Sequence, residues 1–178
     1  MVIMTIKEAG LLAGILASPS KESLETLESM ATQLDWLEEA VKELQGTPLE
    51  RWQGEHTRLF INGVPSTPCL PFASIWLHGT MHGQATVTIN GIYQKAGLQS
   101  NMDMPDFLGT LLEAAAYLST PSQIPEEKRV ELFNQLWEDF LVSWIPKFAN
   151  KLVQESRLEL YRKLGQKLLD LVGEPDHE

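Results

Sequence analysis

The stretch ELFNQLWEDFLVSWIPKFANKL, residues 131–152, decides the fold of this chain. Its large apolar side chains recur every three or four residues, which places them on one face of an α-helix. Charged residues such as Glu131 and Lys147 fall on the opposite face, so the pattern predicts an amphipathic helix. Proline does not fit the interior of an unbroken helix, so Pro146 predicts a bend or restart near Ser143. The stripe consists of Phe133, Trp137, Phe140, Leu141, Trp144, Phe148 and Leu152.

The same helical period extends outward to both ends of the chain. A last helix through Tyr161 is expected to end at Gly173, with residues 174–178 as a flexible tail. The apolar run at residues 10–17 is too short to span a bilayer and lacks the basic start of an export signal. We interpret this run as the buried face of a first helix. Residues 1–173 are therefore predicted to form a single all-α domain, a helical bundle with no membrane insertion.

The middle of the chain carries mixed local signals. Residues 62–71 contain one glycine and three prolines, which predicts an irregular loop. Residues 85–89 alternate like a β-strand, but no second strand is available to pair with them, so we expect a helix against local propensity. Met104-Pro105-Asp106 is interpreted as a helix start, with Asp106 stabilised by the helix dipole at the N-terminal turn.

The chain is acidic, with a formal net charge of −10. This balance argues against a nucleic-acid partner, because phosphates are bound by Lys and Arg. Residues 61–94 contain no Asp, Glu, Lys or Arg, whereas acids are frequent on both sides. Two interpretations stay open. The uncharged segment is a neutral groove edged by acids that attracts a cationic partner, or it is simply buried.

Few residues indicate a catalytic site. Cys69 is the single cysteine, so neither an internal disulfide nor a multi-cysteine metal site can form. His78 and His82 have the spacing of two metal ligands on a helix, but the sequence identifies no third ligand and two glycines disfavour a helix there. No phosphate-binding glycine loop or Gly-x-Ser-x-Gly motif is present. We predict no metal, no cofactor and no catalytic residue; the alternative is a small metal-dependent enzyme using His56, His78 and His82.

Five motifs follow one another over about residues 52–172. They are Glu55-His-Thr-Arg-Leu-Phe60, Pro68-Cys-Leu-Pro-Phe-Ala-Ser-Ile-Trp76, Tyr93-Gln-Lys-Ala-Gly97, Asp103-Met-Pro-Asp106 followed by Leu111-Leu-Glu113, and Leu141-Val-Ser-Trp-Ile-Pro-Lys-Phe148. In order and spacing they resemble the TorD/DmsD/NarJ family of redox-enzyme maturation chaperones, nearest the DmsD branch. The resemblance implies an all-helical cytoplasmic chaperone that is not an enzyme.

The resemblance also implies a partner. Chaperones of this family bind the twin-arginine (Tat) signal peptide, or N-terminus, of the apo form of a molybdopterin oxidoreductase catalytic subunit. They hold that subunit until its molybdenum cofactor is inserted, before export through the Tat pathway. Both a monomer and a domain-swapped dimer are compatible with the resemblance. A helical interaction module with an unrelated partner is a further alternative.

The resemblance places the peptide-binding residues on three parts of the chain. The family's aromatic-x-x-Leu-Phe motif falls on residues 56–60, with His56 in place of the usual aromatic residue. A proline-rich segment falls on residues 68–72, and the family's Asp-His pair falls on Asp106 and Phe107, so its His is lost. The residues carried over are His56, Leu59, Phe60, Pro68, Pro71, Phe72, Trp76, Asp103, Asp106 and Phe107.

A twin-arginine peptide carries two adjacent guanidinium groups followed by an apolar, helix-forming stretch. Guanidinium groups pair with carboxylates, so Asp106 is expected to bind the arginines, with Asp103 and Glu55 as lesser candidates. The apolar stretch is expected to lie in a groove as a helix. The predicted groove is lined by Leu59, Phe60, Phe72 and Trp76.

Overall fold

The computed structural model describes residues 3–99 and 104–173, which form ten α-helices, one 3₁₀ turn and one π-helical turn. No β-strand occurs in these ranges, so the predicted all-α class is confirmed. None of the helices found there is long and apolar enough to cross a membrane. The predicted tail, residues 174–178, lies outside the described residues. The elements are α1 (Ile6–Leu16), α2 (Lys21–Ala31), the 3₁₀ turn (Asp35–Leu37), α3 (Glu38–Gln45), α4 (Leu49–Phe60), α5 (Ala73–His78), α6 (Gln84–Lys95), α7 (Leu108–Ser119), α8 (Glu126–Trp137), the π-helical turn (Glu138–Val142), α9 (Ile145–Glu155) and α10 (Glu159–Val172).

The apolar stripe of residues 131–152 forms two helices, and the predicted break near Ser143 is confirmed. α8 widens into the π-helical turn, and α9 then begins at Ile145 with Pro146 in its first turn. At that position the missing proline N–H costs no intrahelical hydrogen bond. α10 packs along α9, and the largest buried side chains of the core lie in these two helices and at the residue that precedes α9. These are Trp144, Phe148 and Tyr161.

The β-branched segment at residues 85–89 is helical, as expected. It forms the first half of α6, which packs against α8 and α5. The buried side chains of α6 recur at helical spacing, so burying one apolar face outweighs the local β propensity. They are Ala85, Ile89, Ile92 and Tyr93.

The N-terminal helix α1 begins with a reciprocal cap. Thr5 Oγ1 accepts a hydrogen bond from the Glu8 N–H at 3.0 Å, and Glu8 Oε2 accepts one from the Thr5 N–H at 2.9 Å. α1 packs mainly on α7. The interpretation of residues 10–17 as the buried face of a first helix is confirmed, because four of its apolar side chains are buried. They are Leu11, Leu12, Ile15 and Leu16.

Two segments far apart in sequence are joined through their backbones. The Ala73 N–H donates to the Asp106 carbonyl oxygen at 3.1 Å, and the Leu108 N–H donates to the Pro71 carbonyl oxygen at 2.9 Å. Between these two bonds, the two segments form an isolated antiparallel β-bridge at Phe72 and Phe107. This link holds the loop that follows α4 against the segment that precedes α7.

The predicted helix start at Asp106 is wrong. α7 begins at Leu108, and the preceding residue, Phe107, has an extended backbone. The extended conformation is the one that the antiparallel bridge to the loop after α4 requires. Tertiary pairing therefore prevents the helix from starting at the proline that the sequence offers.

Candidate peptide-binding site

The backbone link between the two segments also brings their aromatic side chains together. The Phe72 and Phe107 rings lie with their centroids 5.8 Å apart. Trp76, one turn further along α5, donates from its indole Nε1 to the Leu70 carbonyl oxygen at 2.7 Å. All three aromatic residues are only partly buried, so they line the surface around the link. Pro68 is partly buried as well.

Asp106 caps a different helix from the one predicted. Its Oδ2 accepts a hydrogen bond from the Ser74 N–H at 2.9 Å, in the first turn of α5, where the helix dipole favours a negative charge. The residue is fully buried, and Asp106 Oδ1 has no hydrogen-bond partner within the described ranges. Burial raises the pKa of the Tyr93 hydroxyl above its usual range, and the negative charge of Asp106 raises it further. Asp106 is therefore a buried carboxylate with one oxygen unpaired among the residues described.

The predicted groove is not open at Leu59 and Phe60. Leu59 is fully buried, and Phe60 retains only 3% of its exposure. The Phe60 ring meets the Tyr161 ring of α10 at 5.3 Å and the Phe148 ring of α9 at 6.4 Å between centroids. α9 and α10 cover this face of α4, so its apolar stripe is core rather than groove lining. Of the predicted lining, only the two aromatic residues near the link reach the surface.

The uncharged segment, residues 61–94, is largely a surface feature. Ile61 is 58% exposed, Val64 is 92% exposed and Val87 is 63% exposed. Isolated apolar residues at a surface are common, but here all three lie in one segment that contains no Asp, Glu, Lys or Arg. The interpretation that this segment lacks charge because it is buried is therefore wrong.

Unpaired acids lie beside this surface. α8 packs against α6, the last helix of the uncharged segment. Along α8 and the π-helical turn the acidic side chains are exposed, and none of them forms an ion pair within the described part of the chain. They are Glu126, Glu127, Glu131, Glu138 and Asp139.

Two lesser candidates for arginine binding have different outcomes. Asp103 lies outside the described residues. Glu55 is buried, and both of its carboxylate oxygens are engaged: Oε1 accepts from Arg58 Nε at 2.6 Å, and Oε2 accepts from the Arg157 N–H. Glu55 therefore fixes α4 to the connection between α9 and α10.

The residues of the alternative enzyme do not assemble. α5 ends at His78, Gly79 adopts a left-handed conformation (φ 76°), and His82 also has a positive φ of 67°. The two imidazoles therefore do not share a helix face. Burial raises the pKa of the Cys69 thiol to about 12, which keeps it protonated and unreactive at neutral pH. No three His, Cys, Asp or Glu side chains are placed to hold a metal ion in residues 3–99 and 104–173.

The sequence did not indicate a cavity that the structure contains between α1 and α2. It has a volume of about 400 Å³ and a mostly apolar lining. One available signal was the narrow apolar stripe of α2, formed by Leu24, Leu27 and Met30. The apolar residues of the lining include Leu11, Ile15, Met30 and Trp52.

His56 makes stability depend on pH. Its Nε2 lies 2.8 Å from the Leu16 carbonyl oxygen, which can only accept, so Nε2 carries the proton and donates. Burial lowers the pKa of His56 below its usual value of 6.5, and the bond to Leu16 offsets part of this effect. Below pH 6.5 the unfolded chain therefore takes up a proton that the folded chain does not.

We expect the free energy of unfolding to fall as the pH drops below 6.5, by at most about 1.4 kcal/mol per pH unit. His56→Gln keeps a donor for Leu16 but no titrating ring, so its stability should change less between pH 7.5 and 5.5. His78→Gln, at an exposed position, is the matched control and should retain the wild-type slope. Urea titrations followed by circular dichroism measure the effect; equal slopes in wild type and His56→Gln would contradict it.

The fold matches a solved structure. The crystal structure of a proposed redox enzyme maturation protein from Archaeoglobus fulgidus superposes with a TM-score of 0.70 and 24% sequence identity, over 95% of this chain and 94% of that one. The chain therefore has the all-helical fold of that class of protein. No curated protein sequence matches the chain.

A family model then identifies the chain more closely. The model described as "nitrate reductase delta subunit" matches residues 18–150, so the chain belongs to this family. Its members are maturation chaperones of redox enzymes and not catalysts. They bind the catalytic subunit of a molybdoenzyme. This protein is a redox-enzyme maturation chaperone, and that membership excludes the alternative of a small metal-dependent enzyme.

Proposed function

We propose that this chaperone works in the cytoplasm and binds the twin-arginine signal peptide, or N-terminus, of a molybdenum-cofactor oxidoreductase. It holds the apo form of that subunit until the cofactor is inserted, before export through the Tat pathway. Within the family we place it nearest the DmsD branch. Residues 1–173 act as one domain in this role.

The exposed uncharged segment is the observation that carries the proposal. A signal peptide has an apolar stretch, and an uncharged surface with exposed Ile61, Val64 and Val87 is suited to it because no charged group must be desolvated. The partly buried rings of Phe72, Trp76 and Phe107 continue this surface. An apolar, helix-forming segment of a peptide can bind such a surface through one face of its helix.

Carboxylates are available for the two arginines. Among the described residues, one oxygen of Asp106 has no hydrogen-bond partner, and a guanidinium group can pair with a carboxylate through two parallel bonds. Its full burial means that an arginine reaches it only after the segment around the backbone link moves. The exposed acids of α8 and the π-helical turn attract the cationic end before that step.

The apolar contact is tested with a matched pair of isoleucines. Ile61 is 58% exposed in the uncharged segment, and Ile6 is 55% exposed on α1. We expect Ile61→Ser to weaken binding of a synthetic twin-arginine signal peptide about tenfold, because an apolar contact is lost. Ile6→Ser should leave the Kd within about twofold. Isothermal titration calorimetry measures both, and equal Kd values for the two variants would overturn this placement.

The arginine contact is tested in the same titration. Asp106→Asn keeps an oxygen for the Ser74 N–H but removes the charge, so the cap of α5 is retained. We expect about tenfold weaker binding, the size of one charge-assisted hydrogen bond. Asp170→Asn, an exposed residue of α10, is the control. If Asp106→Asn binds like the wild type while a twin-lysine peptide binds weakly, the arginines are held elsewhere.

A further inference from the structure

Three of the five arginines in the chain line a single cavity. The chain contains Arg51, Arg58, Arg129, Arg157 and Arg162. A cavity of about 280 Å³ lies between α4 and the connection from α9 to α10. It is lined by Arg51, Arg58 and Arg157, together with Gly54, Glu55 and Leu158. In a protein with a net charge of −10, this clustering of cationic groups is a distinct local feature.

Helical spacing and one buried carboxylate fix the cavity's geometry. Arg51, Gly54 and Arg58 lie three and four residues apart, so they share one face of α4. A Cβ atom added at Gly54 would meet no atom within 4 Å, so this glycine leaves the space between the two arginines open. Glu55 holds the opposite wall in place by accepting from the Arg157 N–H.

Two of the three guanidinium groups are unengaged within the described residues. Arg58 is held by Glu55 through Nε and by the Glu155 carbonyl oxygen through Nη2, at 2.6 Å each. The exposed side chains of Arg51 and Arg157 form neither ion pairs nor hydrogen bonds within the described ranges. Among the described residues, Glu55 is the one carboxylate that lines the cavity. The lining therefore carries three positive charges against one negative charge, and Glu155 lies near enough to Arg58 to raise its pKa.

We propose that this cavity binds the phosphate group of a small molecule. Arginine presents several N–H donors in a planar fork that matches phosphate oxygens, and converging guanidinium groups bind such an anion more tightly than a single one does. A concave site of this size accommodates a phosphate or diphosphate group and excludes a folded peptide. The site goes beyond the proposed function, because it is built on α4 and the α9–α10 connection. Of the residues predicted to bind the peptide it contains only Glu55, a lesser candidate whose two carboxylate oxygens are already engaged.

The test uses pyrophosphate, titrated into the full chain by calorimetry at constant ionic strength. We expect saturable binding to the wild type and about tenfold weaker binding to Arg51→Gln and to Arg157→Gln. Both arginines are exposed, and Arg157 contributes to the fold through its backbone N–H, so both variants should remain folded. Lys147→Gln, an exposed residue of α9, is the control and should bind like the wild type.

Two arms separate the sources of the phosphate group. If a nucleoside diphosphate binds more tightly than pyrophosphate and loses affinity in both arginine variants, the ligand is a nucleotide-like molecule and the proposal holds. If the two bind equally and both lose affinity, the phosphate group alone is recognised and the proposal also holds. Absence of saturable binding, or equal binding by wild type and variants, overturns it. Binding of the signal peptide is measured separately, so failure of one proposal leaves the other intact.

Discussion

Phe148→Ala is expected to lower the free energy of unfolding by about 3–5 kcal/mol, the largest effect of any substitution considered. The Phe148 side chain is fully buried, and its ring contacts three other aromatic rings. The centroid distances are 5.6 Å to Trp144, 5.9 Å to Trp76 and 6.4 Å to Phe60. Removing it leaves a cavity among large rigid rings from α4, α5 and the start of α9, which collapse around it only in part.

Phe133→Ala is the matched control for this prediction. Phe133 is only partly buried, and its one aromatic contact in the described part of the chain is Trp137, at 5.6 Å. Phe133 buries less apolar surface than Phe148, so Phe133→Ala should lower the free energy of unfolding by about half as much as Phe148→Ala, or less. Urea unfolding followed by circular dichroism compares the two variants. The slope of the unfolding free energy against urea concentration is expected to be unchanged. A cost for Phe148→Ala no larger than that for Phe133→Ala would show that the aromatic cluster does not hold the core.

Gly165→Ala should be destabilising, whereas Gly10→Ala should be stabilising. A Cβ at Gly165 would lie 2.8 Å from the Ala149 carbonyl oxygen and 2.7 Å from Val153 Cγ2, so α9 and α10 would have to separate. A Cβ at Gly10 would meet nothing within 4 Å. Both positions lie inside helices, so both variants gain about 1 kcal/mol from the better helix propensity of alanine.

The shared propensity gain cancels when these two variants are compared. Their difference in the free energy of unfolding, about 1–3 kcal/mol, then reports the steric clash alone. Thermal and urea unfolding of both variants measure it. Equal stability of the two would mean that α9 and α10 are not in contact at Gly165 in solution.

Helical content was predictable from the sequence because it depends on local periodicity. The stripe at residues 131–152 and its break near Ser143 needed only the spacing of apolar residues and the position of one proline. Residues 85–89 were predicted correctly as helix because no strand partner was available. In each case the deciding information lay within one short stretch or in a count over the whole chain.

The features that were missed depend on partners far away in sequence. Periodicity identified the apolar face of α4, but it does not tell whether another helix covers that face. In the structure, Leu59 is buried and rings from α9 and α10 pack on Phe60. The segment Met104-Pro105-Asp106 has the composition of a helix start. The N–H that Asp106 caps, however, belongs to Ser74, 32 residues earlier. The three arginines around Gly54 come together only because the α9–α10 connection returns to α4.

Asp106 caps α5 with the same carboxylate that is proposed to bind an arginine of the client, so the two interactions compete. If the proposed function holds, a guanidinium group that pairs with this carboxylate weakens its bond to the Ser74 N–H, so binding of the client is transmitted to the backbone of α5. α5 has only six residues and depends on its cap more than a long helix does. Amide hydrogen exchange at Ser74 then reports binding of the client peptide, and Ser74 lies in the same helix as Trp76.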